Sequence, residues 1–519
     1  MSKKEKSSNA GAPGSKPADW SDMLDELSAR SIAAERMGGP EKVARQHGRG
    51  KMDVRARLAM MADKGSFDEI GKLAGKGAYN DDGSYADSAP ANLLFGTAKV
   101  KGRDAILIGD DFTVRGGAAD ASIWRKGMLA EQMASEYGLP LVRLIDGTGG
   151  GGSVKMLEDM GLTYVPYLPG WEFVVRNLAT VPVAALALGP VAGLGAARLV
   201  ASHYCVMVKG LSQVFTAGPQ VVSALGEDLD KEGLGGAQIH GRNGVVDDVV
   251  DSEEAAFEAV RTFLSYLPDK AGDPLPKASP LKPKGSVTAL RSIVPRDSRK
   301  AYSMRQVLTR VLDHKSFFEI GAGWGRSVIT ALARIDGQVT AVVASDPSFM
   351  GGSWTADAAK KLARFVQLAD LFQIPVAHFV DNPGFMIGLE AEKAATIRHG
   401  VEALNDIYRT KVPWATIVIR KAYGVAGAAM SDHTRFQYRA AWPSADWGSL
   451  PLDGGIEVAY QSDLAASDDP EALLASIRQK LDAVRSPFRT AEAFLIEDII
   501  DPAETRPFLQ KWRTLAEKA

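Results

Sequence analysis

The sequence predicts an α/β protein built from two copies of one domain in tandem. Three observations carry that prediction: a pair of matching glycine turns, a series of residues repeated at nearly constant spacing, and apolar strands alternating with helices. The first turn lies in VPVAALALGPVAGLGAA, beginning at Val181, and the second in VPWATIVIRKAYGVAGAA, beginning at Val412. In each, a Val-Pro pair opens an apolar run that ends in a glycine, Gly193 or Gly424, 231 positions apart. At a separation of 235, Gly102, Asp111, Gly116, Gly117, Pro140 and Asp146 match Gly337, Asp346, Gly351, Gly352, Pro375 and Asp381. GSFDEIG around Ser66 recurs as KSFFEIG around Ser316, at a separation of 250. A separation that shrinks along the chain preserves order while loops shorten. A chain of 519 residues is also longer than one hydrophobic core usually serves, which is up to about 250–300 residues.

The elements follow in order. Residues 1–17 are rich in Lys, Ser, Gly and Pro and lack an apolar stretch, so residues 1–19 are expected to be a disordered tail and not a secretory signal. Helices are expected at 20–36 and 52–62, ahead of the first core. In each copy a short apolar run, 105–108 or 340–343, leads through a loop to a Gly-Gly pair. A helix follows, with its apolar stripe on Ala130, Met133, Ala134 and Tyr137 in the first copy and on Leu362, Phe365, Val366 and Ala369 in the second. The next strands, 141–145 and 376–380, each end at an aspartate and a glycine-rich loop, DGTGGGG or DNPGF. Such alternation implies right-handed crossovers and a buried parallel sheet. Pro268, Pro274, Pro276, Pro280 and Pro283 forbid a helix or central strand and mark a linker. The expected division is therefore 20–266, a linker at 267–293, and 294–519, with two amphipathic helices in 470–519.

Composition narrows the function. With 45% apolar and 24% charged residues and a net charge of −2, the chain is globular, and neither a nucleic-acid nor a membrane-surface protein is expected. No apolar run approaches the ~18 residues of a spanning helix. One cysteine, Cys205, excludes an intrachain disulfide framework and reads as a buried structural thiol; with seven histidines it leaves no spacing for a zinc site, so no metal is expected.

The glycine turns are the best-motivated catalytic feature. Glycine permits the positive φ that lets a turn aim backbone N–H groups at a developing oxyanion. The alanine-rich stretches after Gly193 and Gly424 read as helix starts with free N–H groups. GTGGGGS at Gly147, containing Gly149 and Gly150, lacks the Lys-Ser/Thr ending of a phosphate loop and reads as a pocket-lining loop. Arg420-Lys421 either neutralises an anionic group or forms a salt-bridged strand end. Pro383-Gly384-Phe385 is a tight turn presenting an aromatic ring, structural or pocket-lining. No Ser or Cys sits at a nucleophile elbow beside a histidine, which argues against triad hydrolysis.

Together the segments GGPEKVARQHGRGKMDVRARL, GPVAGLGAA, FTAGPQVV, LGGAQIH, ALARIDGQVTAVVA, ARFVQLADLFQIPVAHFVDNPGF, RKAYGVAGAAM and AAWPSA resemble the carboxyltransferase (β) subunits of biotin-dependent acyl-CoA carboxylases, from about Gly38 to Asp463. The resemblance implies tandem crotonase-like domains, each a ββα superhelix, assembled into a hexamer whose active sites lie between the first domain of one subunit and the second of its neighbour. It implies that the Gly193 and Leu194 amides stabilise a thioester enolate, while those of Val425 and Ala426 hold the biotin ureido oxygen. Carboxybiotin then supplies CO2 and its ureido nitrogen takes the α-proton. Gly116, Gly117, Gly149, Gly150, Gly424, Ala428, Gly384 and Phe385 are the expected substrate-binding positions. The implied partners are an acyl-CoA and a biotin carboxylase/biotin carboxyl carrier (α) subunit bearing the biotin, since the chain has no Met-Lys-Met acceptor and no ATP-grasp region. The implied compartment is the cytoplasm.

Three departures stand out. Leu194 replaces the second glycine of GPCAGGA; Val425 and Gly427 replace glycine and tyrosine in RKAYGGAY; and the GGARIQEG loop, with its arginine, is DGTGGGGSVKM here. Both holes then require negative φ at Leu194 and Val425. Ala428 stands where relatives select acyl length, and its small side chain suits a larger acyl group. A decarboxylating subunit and a non-catalytic CoA-binding scaffold are the alternative readings.

Overall fold

The computed structural model describes residues 19–118, 123–147, 157–158, 160–163, 165 and 167–518. The expected tail lies outside this set except for its last residue. The first sheet has seven strands in the order Asp68–Ile70, Leu93–Val100, Arg103–Asp110, Leu141–Ile145, Val183–Ala187, Tyr204–Val208 and Asp248–Val250. The second runs Phe318–Ile320, Val328–Ile335, Gln338–Ser345, Val376–Asn382, Trp414–Tyr423 and Tyr438–Ala441, with Asp446–Gly448 also on Trp414–Tyr423.

The duplication extends to register. Ile106 faces Leu141 and Leu141 faces Val183 in the first sheet; at the same separations Ala341 faces Val376 and Val376 faces Trp414 in the second. Every residue of Leu141–Ile145, Val183–Ala187 and Val376–Asn382 is buried, as a parallel sheet covered on both faces requires. The covering helices are Trp124–Tyr137 and Ala356–Leu371. Thr355 caps the latter by accepting from the Ala358 N–H at 3.1 Å.

Three expectations need correction. The sheets are not wholly parallel, because one edge of each is an antiparallel hairpin, Leu93–Val100 with Arg103–Asp110 and Val328–Ile335 with Gln338–Ser345. Lys101-Gly102 and Asp336-Gly337 make these turns with positive φ at both residues, 49° and 81°, then 56° and 77°, the backbone that two-residue hairpins need. Tyr137 leaves the predicted stripe and is 70% exposed. The region 470–519 holds three α-helices, Pro470–Val484, Pro487–Glu492 and Thr505–Ala516, because Pro487 starts a new helix after Ser486.

The two halves share one hydrophobic cluster, which runs from Leu58 and Phe263 in the first to Phe372 and Ile407 in the second. The Tyr204 ring stacks on Phe263 at 5.0 Å and meets Phe318 edge-on at 5.5 Å. Polar ties reinforce the seam: Arg364 pairs with Asp247 at 3.0 Å, and Arg334 donates to the Ser265 carbonyl at 2.9 Å. No helix among the described residues is long and apolar enough to cross a membrane.

Candidate active site

The first turn follows the buried strand Val183–Ala187 and the short strand Pro190–Ala192. Gly193 adopts φ 55° and ψ −121°, a backbone closed to any residue with a Cβ. The helix Leu194–Val200 begins directly after it, closed by Ala197 N–H to the Gly193 carbonyl at 2.9 Å. The second turn ends the strand Trp414–Tyr423, with Gly424 at φ 61° and a helical turn over Gly424–Ala428. In both turns the glycine takes the positive φ, whereas Leu194 and Val425 do not. The two large side chains therefore leave the backbone able to present its N–H groups.

Beneath the first turn lies a buried charge cluster. Asp146 ends its strand fully buried, 2.6 Å from Lys51 Nζ and 2.6 Å from Arg57 Nη1. Arg57 also pairs with Glu253 at 2.7 Å and donates to the Leu188 carbonyl at 2.7 Å, five residues before Gly193. Burial would lower the Arg57 pKa, but the charges of Asp146 and Glu253 outweigh it and raise it. Lys51 responds the other way, its pKa lowered by burial against the pull of Asp146.

The second copy reaches the same end differently. Asp381 is paired with Arg420 at 3.0 Å and accepts from the Lys421 N–H at 3.0 Å. Arg420, at 231 positions from Gly189, is thus a salt-bridged strand end, one of the two options its sequence left open. A Cβ at Gly189 would run into Asp146 Oδ1 and Lys51 Nζ, so the ion pair would have to shift.

The expected substrate-binding residues separate by copy. Gly117 lies against the Asp146 carbonyl, where a Cβ would come within 2.5 Å, and Gly116 precedes it in the same tight turn. Gly117, Gly147, Leu194 and Gly195 line one cavity of about 150 Å³ beside the first turn. Gly149 and Gly150 lie outside the described residues. Gly384 sits beside the second turn, its missing Cβ 3.7 Å from the Tyr423 carbonyl. The Phe385 ring instead packs on Trp354, centroids 6.0 Å apart, and against Gly400. Val425 is 51% exposed and Ala428 is also exposed, whereas Ala426 is buried.

Two contributions escaped the sequence reading. Asn382 donates through Nδ2 to the Ala426 carbonyl at 3.0 Å and accepts the Gly384 N–H at 2.9 Å, tying the Pro383-Gly384 loop to the second turn. Lys51, Arg57 and Glu253 converge from distant segments, and only the DNPGF and GKMDVRAR strings hinted at either group. The carboxylates facing the first cavity are both held by arginines, Asp110 by Arg198 at 3.2 Å and Glu131 by Arg143 at 2.7 Å. Burial would raise the Glu131 pKa, yet Arg143 holds it below the ordinary value. The two copies repeat one backbone form, a glycine at positive φ followed by a helical residue.

The carboxyl transferase domain model matches residues 45–518, nearly the whole of this duplicated fold. The chain belongs to the carboxyl transferase family. It is 31% identical to the propionyl-CoA carboxylase carboxyltransferase subunit of Haloferax mediterranei, over 93% of this chain and 94% of that one. It is 30% identical to the methylmalonyl-CoA decarboxylase subunit alpha of Propionigenium modestum, over 90% and 91%. Among solved structures, transcarboxylase 12S, crystallised with methylmalonyl-CoA and methylmalonic acid in a study of its hexamer assembly, superposes with a TM-score of 0.85 at 29% identity, covering 97% of this chain and 96% of that one. Family membership gives the chain its reaction type, the movement of a carboxyl group. Among the described residues no group of His, Cys, Asp and Glu could hold a metal ion.

Proposed function

We propose that this chain is the carboxyltransferase subunit of a biotin-dependent acyl-CoA carboxylase. The observation that carries the reading is the paired turn, Gly193 and Gly424 both at positive φ with a helical residue after each, within a family match over residues 45–518.

The Gly193 and Leu194 N–H groups face the thioester oxygen and stabilise the enolate as negative charge develops there. Val425 and Ala426 hold a ureido oxygen through their N–H groups. Asn382 supports them by fixing the Ala426 carbonyl. Carboxybiotin, brought by a biotin carboxylase/carrier subunit, supplies the carboxyl group and the proton acceptor. The arginine-held state of Asp110 and Glu131 agrees with that division of labour. Gly116, Gly117, Gly149 and Gly150 form the acyl-CoA side, Gly424 and Gly384 the biotin side; Ala428 lies beside the acyl group, and Phe385 supports the second turn's loop by packing on Trp354. Domains at 20–266 and 294–519, joined by 267–293, carry these two sides, and a hexamer juxtaposes them between neighbouring subunits. The cytoplasm is the proposed compartment, supported by a single buried cysteine with no disulfide to maintain.

Co-purification from the source cell tests the partner, and ATP- and bicarbonate-dependent carboxylation across an acyl-CoA panel tests the reaction. Gly193→Pro removes one donor and cannot adopt φ 55°; a loss of at least 100-fold in kcat is expected. Unchanged activity in the holoenzyme defeats the assignment. The likeness to a decarboxylase subunit favours the reverse direction as a second reading, which net CO2 release from a carboxyacyl-CoA, with no ATP-dependent carboxylation, would establish.

A further inference from the structure

The cavity beside the first turn differs from its surroundings in chemistry. Trp124 and Met128 from the helix Trp124–Tyr137, Leu168, Trp171 and Val174 from the facing segment, and Leu194 from the turn itself make its apolar walls. Its ionic groups are already satisfied: Arg198 with Asp110 and Glu131 with Arg143. Among the described lining residues these ionic groups are paired, and the neutral Asn92 Oδ1 is left without a hydrogen-bond partner. At the rim Trp124 is 60% and Leu168 50% exposed, apolar surface that water covers at a cost until something apolar replaces it.

The second copy lacks these walls. At the separation of 235, Trp124 and Met128 become Ala359 and Ala363, and Leu194 becomes Val425 at 231. A slot present in one copy and missing its aromatic walls in the other belongs to whatever distinguishes the two turns. On the proposed function, that is the thioester at the first. Leu194 and Gly195, directly after Gly193, line the slot, so a group entering here lies next to a carbonyl held by the turn.

We propose that this slot receives the acyl group of the CoA thioester and makes the enzyme selective for medium-length apolar acyl chains over acetyl. This rests on the carboxyltransferase reading. The volume of about 150 Å³ sets the scale, since an apolar cavity of about that size takes up benzene, a group of about six carbons. Each methylene buried adds roughly fourfold in affinity. Leu194 acquires a purpose in this account: its side chain, absent from relatives with glycine, forms part of the wall while its N–H serves the hole.

The test uses the full chain with its biotin-carrying partner, and acetyl-, propionyl-, hexanoyl- and dodecanoyl-CoA. The ratio of kcat/KM for hexanoyl- over acetyl-CoA is expected to exceed about 10, with a parallel ratio of dissociation constants by calorimetry. Met128→Trp fills the slot and should lower both ratios at least tenfold. Equal handling of hexanoyl- and acetyl-CoA by the unmodified chain overturns the proposal, as does a Met128→Trp ratio that does not change. Trp171→Ala, which enlarges the slot, moves the optimum toward dodecanoyl-CoA and covers the case in which Met128→Trp melts early; an unmoved optimum overturns the proposal. If hexanoyl-CoA binds preferentially but no acyl-CoA is carboxylated, the slot stands and the carboxyltransferase reading falls.

Discussion

His378 shows how one buried side chain makes stability depend on pH. It lies on the second sheet, 4% exposed, edge-on to the Trp414 ring at 5.8 Å. Burial pushes its pKa down to about 4. The folded protein therefore holds the neutral ring, and the unfolded chain binds a proton more readily. Its contribution to stability is complete above about pH 6.5 and is lost as the pH falls toward 4, about 3 kcal/mol in all. Urea midpoints at pH 7 and 4.5 should differ less in His378→Phe than in the unmodified chain; an equal difference contradicts the assignment. The matching residue of the first copy, Arg143, is paired with Glu131 at 2.7 Å, so the two copies diverged in how they stock the same strand position.

The strand ends show the same divergence one level up. In the second copy the neutralising charge for Asp381 comes from its neighbouring strand, through Arg420. In the first, Lys51 and Arg57 bring it from a loop and a helix ahead of the core, and the position matching Arg420 is Gly189. Both solutions tie down the backbone that enters a glycine turn. Gly189→Ala would push a methyl into Asp146 and Lys51, disrupting a buried ion cluster. A loss of about 3 kcal/mol is expected, read as a lower denaturant midpoint. A midpoint within experimental error of the unmodified chain would mean that the cluster yields without cost.

Across the whole molecule the two copies are packed as one body. Leu58 and Phe263 belong to the same hydrophobic cluster as Phe372 and Ile407, and Arg364–Asp247 at 3.0 Å and Arg334 to the Ser265 carbonyl bridge the halves. Burying that much apolar surface between domains couples their unfolding. Scanning calorimetry should therefore show one transition; two resolved transitions, each assignable to one copy, would refute the coupling.

Residue order alone carried the duplication and the two glycine turns, because turns and apolar periodicity are local and recur at a spacing that can be counted; the reaction family came from the segments that resemble carboxyltransferase subunits. The antiparallel hairpins were visible in Lys101-Gly102 and Asp336-Gly337 but overshadowed by the strand-helix alternation. Folding was needed to bring Lys51, Arg57 and Glu253 to Asp146, to seat Asn382 against Ala426 and to wall a slot with Trp124, Met128 and Trp171. Those contacts join residues far apart along the chain, and their distance and burial exist only after the sheets have packed. The sign of φ at Leu194 and Val425 belongs with them, since the preceding glycine could absorb the turn only once strand and helix directions were set.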